Sequence, residues 1–133
     1  MLLAIQPTAS HAKRWVGLAK AYPDLKFGTI VDCGDTVECL SELCQKYQSS
    51  LELWIDLNVG MDRTGIPPEA TAVQLAERIQ SDKNVELGGL HVYDGHLHQS
   101  AVEKRKEACA LWHAKLDTFL KLLRKSGFDR IPI

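Results

Sequence analysis

Residues 51–59, Leu-Glu-Leu-Trp-Ile-Asp-Leu-Asn-Val, constrain the fold more than any other stretch. Successive side chains of a strand point to opposite faces. Leu51, Leu53, Ile55 and Leu57 therefore share one face, and Glu52, Trp54, Asp56 and Asn58 share the other. A strand covered by helices on both sides is apolar throughout. This one is apolar on one side only, and Asp56 and Asn58 stand toward its carboxyl end. Two arrangements satisfy the pattern. In a (β/α) barrel the apolar face meets the outer helices, and Asp56 and Asn58 point inward near the catalytic rim. In an open sheet the same strand lies at an edge with one face in water.

The flanking sequence supplies alternating strands and helices. Residues 2–6 form an apolar run that Pro7 stops, which predicts a buried strand. Ser10 is placed to cap a helix over 11–22, which Pro23 closes. A second strand is predicted over 26–32. Asp35 then caps a helix whose seam is Val37, Leu40, Cys44 and Tyr47. Pro67 and Pro68 open a third helix, with Val73, Ala76 and Ile79 as its buried stripe. Residues 86–93 read as a strand containing Gly88 and Gly89. The last helix spans 100–126, with Leu111, Trp112, Leu116, Phe119, Leu120 and Leu123 on its apolar face and Gly127 as its C-terminal cap. Residues 131–133 look like the opening of a fifth strand. This order predicts a parallel sheet with right-handed crossovers. A small open doubly wound sheet fits into 133 residues, whereas a complete barrel needs about 250.

Charge excludes several classes of function. Sixteen Lys+Arg against seventeen Asp+Glu give a net charge of -1, so neither a nucleic-acid footprint nor a polybasic membrane patch is present. No apolar run reaches the roughly 20 residues of a membrane span. The apolar start, residues 1–7, is too short for a signal peptide and has no basic region before it. Cys33, Cys39, Cys44 and Cys109 contain no CxxC pair and read as reduced thiols of a cytoplasmic protein.

Two loops after strands concentrate polar residues, glycines and aromatics, and ligand sites of α/β folds lie at such carboxyl ends. The first is Gly60-Met61-Asp62-Arg63-Thr64-Gly65. Its glycines suggest a P-loop, but Ile66 and Pro67 stand where Lys-Ser/Thr must follow, which excludes that mode of triphosphate binding. What remains is Arg63, a permanent cation with a planar fork of donors. It serves either a ligand or a salt bridge to Asp56 or Asp62. The second loop, residues 91–99, holds His91, Tyr93, Asp94, His96, His98 and Gln99. Its spacing matches no familiar closed metal site, and HExxH is absent. His91 and Tyr93 share a strand face, which suits substrate or cofactor contact. G-x-S-x-G and G-x-G-x-x-G are absent. Asp56 and Asp94 remain open as a pair of glycosidase-type acids.

The elements Asp56-x-x-x-Gly60-x-x-Arg63-Thr64-Gly65 and Gly89-Leu90-x-x-Tyr93-x-Gly95-His96-x-Gln99 together resemble those of the D-threonine aldolases. These are pyridoxal-phosphate enzymes on the alanine-racemase-type barrel, and D-serine dehydratases are close relatives. The resemblance implies an α/β fold: a partial (β/α)8 barrel over residues 1–133, with four to five parallel strands alternating with four helices and without the barrel's first and last strands. It implies that Arg63 hydrogen-bonds the pyridine nitrogen of pyridoxal 5'-phosphate, with Asp56, Tyr93 and Gln99 also in the cofactor site. Tyr93, His96 and Gln99 form the implied catalytic set. The implied reaction is retro-aldol cleavage of a D-3-hydroxy amino acid to glycine and an aldehyde. A divalent metal, manganese or similar, would polarise the substrate hydroxyl from ligands outside this chain. The alternatives are a D-serine dehydratase or amino-acid racemase of the same fold, or a non-catalytic pyridoxal-phosphate-binding protein.

The chain departs from that family in three ways. The Schiff-base lysine belongs to a His-x-Lys-Thr-type motif that is absent here. The lysines fall on predicted helices or surface connections, and Lys26 opens a strand at the end away from catalysis. The Gly-rich phosphate loop and the C-terminal β domain are also missing. The expectation is therefore the central portion of a longer enzyme, inactive alone, whose parent is a homodimer acting on a small D-amino acid.

Overall fold

A computed structural model describes all residues, Met1–Ile133. The elements are β1 (Leu2–Leu3), α1 (Ala9–Ala21), β2 (Gly28–Val31), α2 (Gly34–Tyr47), β3 (Leu51–Leu57), α3 (Ala70–Ser81), β4 (Val85–Val92) and α4 (Val102–Lys125). The sheet runs β1-β2-β3-β4 with every neighbouring pair parallel.

This topology decides between the two arrangements left open by residues 51–59. β3 pairs with β2 on one side and β4 on the other, so it is an interior strand and not an edge. The strand order also never reverses. Successive right-handed crossovers therefore leave all helices on one side, as in a barrel arc. The doubly wound alternative needs a reversal. Leu51, Leu53, Ile55 and Leu57 join a single core with Val16 of α1, Leu40 of α2, Ile79 of α3 and Phe119 of α4. Each such side chain contributes about 1.5–3 kcal/mol on leaving water. The opposite face of β3 is the concave one. There Ile30 lies beside Trp54, Trp54 beside Gly89, and Asp56 beside His91.

A register shift separates Leu53 from Trp54 opposite β4, where Gly88 and Gly89 fall. The indole of Trp54 lies directly over this pair. A Cβ on Gly89 would stand 2.7 Å from Trp54 Cζ3 and 2.6 Å from the Pro132 carbonyl oxygen. Only glycine admits the ring so close to the strand.

Several boundaries differ from the sequence reading. Thr8 takes the N-cap position of α1, and Ser10 lies inside the first turn. Cys33, not Asp35, is the N-cap residue of α2. The helix expected from Pro67 begins only at Ala70, because Ile66 still bridges to Leu57 in extended form. Residues before proline disfavour the helical region. Residues 131–133 form no named strand, yet Leu90 donates its N–H to the Pro132 carbonyl at 2.8 Å. On α4 only Leu116, Phe119 and Leu123 are buried. Leu111 is 74% exposed, contrary to its place on the predicted apolar face. The helix is 24 residues long, about 36 Å at 1.5 Å per residue, and buries only residues of its second half. No helix is long and apolar enough to cross a membrane.

All four cysteines are free, but they are not equivalent. Cys44 is fully buried in the seam of α2, and burial pushes its thiol up to about 11, with Asp82 adding to the effect. The thiolate is the reactive form. At pH 8 a thiol reagent is therefore expected to label exposed Cys33 and half-buried Cys39 and Cys109, leaving Cys44 untouched until denaturant is added. Peptide mass mapping of the labelled sites checks this order.

Candidate functional site

The carboxyl ends of all four strands converge on a cavity of about 400 Å³. Ile5 follows β1, Asp32 follows β2, Asp56 lies in β3, and His91 in β4 leads into Tyr93. Arg63 and Thr64 reach the cavity from the loop after β3.

Asp56 organises the site. It is only 6% exposed, and burying a carboxylate is costly unless its oxygens are paired. Both are paired. Thr64 Oγ1 donates to Oδ2 at 3.0 Å, and His91 Nδ1 lies 2.7 Å from Oδ1. A carboxylate only accepts, so the imidazole proton belongs on Nδ1 and the ring retains Nε2 as its other nitrogen. The His91 ring lies nearly parallel to Tyr93, with an interplanar angle of 17° and centroids 6.5 Å apart.

The arginine turn is held from both sides. Asp32 Oδ2 accepts from the Gly65 N–H at 3.0 Å. The Asp32 N–H in turn donates to Gln6 Oε1 at 2.9 Å. Ile66 N–H donates to the Asp56 carbonyl, and Asn58 N–H donates to the Ile66 carbonyl, each at 2.9 Å. Asn58 Oδ1 accepts from the N–H groups of Gly60 and Asp62, at 3.0 and 3.2 Å, and so fixes the start of the loop. Gly65 has φ +96°, and a Cβ there would sit 2.7 Å from Asn58 N. Glycine is required by both counts.

Arg63 is exposed, lines the cavity and makes no ion pair. The salt bridge considered from sequence does not form. Asp56 is taken by Thr64 and His91, while Asp62 accepts from Asn58 Nδ2.

The structure thus brings Asp56, Arg63 and Tyr93 together and leaves His96 and Gln99 outside the cavity lining. His96 packs against Gly60, where an added Cβ would lie 3.2 Å from its Nε2. His96 Nδ1 and Gln99 Oε1 are buried without a hydrogen-bond partner. Asp94 does not line the cavity, and each Asp56 oxygen already accepts a bond from the protein, so the glycosidase-type pair is not formed. The histidines of residues 91–99 do not converge, and no group of three His, Cys, Asp or Glu is placed to hold a metal ion. No lysine lines the cavity. Lys26 lies just before β2, at the other end of the sheet, and is paired with Glu52 at 3.0 Å. Its hydrogen bond to Glu52 raises its pKa, so it stays charged. Sequence reasoning missed Asp32. The signal was present, since Asp32 follows β2 as Asp56 ends the inward face of β3.

Comparisons agree with this architecture. D-threonine aldolase from Arthrobacter sp is 25% identical over 103 residues, 77% of this chain and 27% of that protein. 3-Hydroxy-D-aspartate aldolase from Paracoccus denitrificans (strain Pd 1222) is 24% identical over 102 residues, 74% of this chain and 24% of that protein. The chain thus spans about a quarter of the length of the curated relatives it matches. The crystal structure of D-threonine aldolase from Filomicrobium marinum superposes with a TM-score of 0.87 at 22% identity, covering 96% of this chain and 34% of that one. PipY from Synechococcus elongatus PCC7942, solved with PLP bound, superposes with a TM-score of 0.62 at 14% identity, covering 92% of this chain and 53% of that one. The model of the alanine racemase N-terminal domain matches residues 14–133, from within α1 through every later strand and both loops that build the cavity. The chain belongs to the alanine racemase N-terminal domain family.

Proposed function

We propose that this chain forms the ring-binding side of a pyridoxal 5'-phosphate site in a longer lyase that cleaves D-3-hydroxy amino acids to glycine and an aldehyde. The observation that carries the reading is Arg63. It is a cation without an ion pair, lining a cavity to which all four strands contribute, in a turn whose Thr64 and Gly65 are held by Asp56 and Asp32.

These residues fit one side of the cofactor. A guanidinium only donates, so a ring nitrogen facing Arg63 is an unprotonated acceptor. The parallel His91 and Tyr93 rings give the cavity an aromatic wall. The amine that anchors the cofactor has to come from outside these residues, since no lysine lines the cavity. When bound, the cofactor supplies an electron sink for negative charge at the amino-bearing carbon. Arg63 keeps that sink weaker than a carboxylate partner would. Tyr93, 48% exposed, presents a phenol that can donate or accept a proton at the rim. The divalent metal, manganese or similar, belongs to the same proposal, with ligands outside this chain. The two aldolase relatives support cleavage over racemisation or dehydration.

The test is the full-length protein purified with pyridoxal 5'-phosphate and assayed with D-threonine and Mn²⁺. The expected result is a visible cofactor absorbance with glycine and acetaldehyde in equal amounts. Ammonia with 2-oxobutyrate would indicate a dehydratase, an epimerised amino acid a racemase, and bound cofactor without turnover a carrier. A protein that takes up no cofactor would overturn the reading.

A further inference from the structure

We infer that Asp56 is a positioning residue that acts through His91. This rests on the cofactor-site reading above. Both Asp56 oxygens are already engaged inside the protein, one by Thr64 and one by His91, and the side chain is 8% exposed. Each oxygen already accepts one bond from the protein, so the carboxylate is committed within the wall that it lines. What Asp56 does is join two parts of the wall that are far apart in the chain. Thr64 adjoins Arg63 in the turn after β3, and His91 is 35 residues from Asp56, on β4.

The chemistry of the pair is specific. An ionised carboxylate fixes the neutral imidazole as the Nδ1–H tautomer. Nε2 then carries a lone pair, and His91 lines the cavity. Without the carboxylate, the proton is free to sit on either nitrogen, and the ring no longer offers a fixed acceptor. Asp56 thereby sets the proton state of His91 as well as its orientation. The Thr64 bond ties the same carboxylate to the arginine turn. Thr64 is exposed, but its hydroxyl is committed to Asp56.

The experiment uses the full-length protein with ¹⁵N-labelled histidine, together with Asp56→Asn. On the basic side, where the imidazole signals no longer change with pH, wild-type His91 is expected to show a protonated Nδ1 and an unprotonated Nε2. His91→Gln assigns the signal. In Asp56→Asn the tautomer ratio should shift toward Nε2–H. With the cofactor absorbance retained, kcat should fall by about a hundredfold, the lower end of what a positioned proton acceptor such as the fixed Nε2 contributes, and KM should move less than about threefold. Asp56→Asn with the wild-type tautomer and unchanged kcat would overturn the inference while leaving the cofactor reading intact. If Asp56→Asn does not fold, the wild-type spectrum decides alone: an Nε2–H signal for His91 overturns the inference. Failure of the wild-type protein to bind the cofactor would sink the proposed function, and the tautomer measurement would still test the Asp56–His91 coupling.

Discussion

Arg63→Ala in the full-length protein is expected to lower kcat/KM by about ten- to a hundredfold without weakening the fold. A charge-assisted hydrogen bond contributes about 1.5–3 kcal/mol, and about 1.4 kcal/mol is a factor of ten. The fold is spared because Arg63 is exposed and makes no ion pair. Surface changes of this kind cost less than about 0.5 kcal/mol. Arg63→Lys should recover little, since an ammonium is a point charge without the planar fork. The measurements are kcat/KM, a cofactor titration and a thermal melt on each variant. Unchanged turnover in Arg63→Ala would remove the guanidinium from cofactor contact.

Gly65→Ala should do more damage, through the backbone. Its φ of +96° is one that side chains with a Cβ rarely adopt, and the added methyl would lie 2.7 Å from Asn58 N and 2.9 Å from the Leu57 carbonyl carbon. Both are backbone atoms at the end of β3 and cannot swing aside. The strain alone costs about 1–3 kcal/mol. Relief requires the turn to move, which breaks the Asp32 contact at 3.0 Å and carries Arg63 with it. A misplacement of about 1 Å in a positioning group costs about a hundredfold in rate. The expected result is a lower melting temperature together with a loss of activity at least as large as that of Arg63→Ala. Gly17→Ala is the control. Gly17 lies within α1 with nothing within 4 Å of an added Cβ, so this change should stabilise by about 0.5–1 kcal/mol. A Gly65→Ala protein with normal melting and activity would show that the turn does not fix the arginine.

The buried strand expected over 2–6 is only Leu2–Leu3, with Leu2 and Ile5 exposed. Local pattern carried the helices and β2 to β4 well, and β3 shows why. Its alternation is a property of adjacent residues, and the burial of Leu51, Leu53, Ile55 and Leu57 follows it. Asp56 was legible for the same reason, as a polar residue on the inward face. Its partners were not. The Asp56–His91 and Asp32–Gly65 contacts join residues 35 and 33 positions apart, and no periodicity connects them. Leu111 fails in a complementary way. Helical spacing assigns it to the apolar face of α4, but spacing does not tell where along its length a helix meets the core. His96 and Gln99 stand next to Tyr93 in the sequence motif. β4 ends at Val92, however, and the chain turns back through a bond from Leu97 N–H to the Asp94 carbonyl, so the two residues leave the cavity wall.

The concave face also contains its own optical reporter. Trp54 is on the same face of β3 as Asp56, two residues away, which is about 7 Å along a strand. Trp15 and Trp112 pack instead against the helix-side core. A near-ultraviolet absorber entering the cavity would therefore quench Trp54 emission most strongly, over a background from the other two. With Trp15 and Trp112 each replaced by phenylalanine, the remaining fluorescence becomes a titration signal for cavity occupancy, readable without turnover.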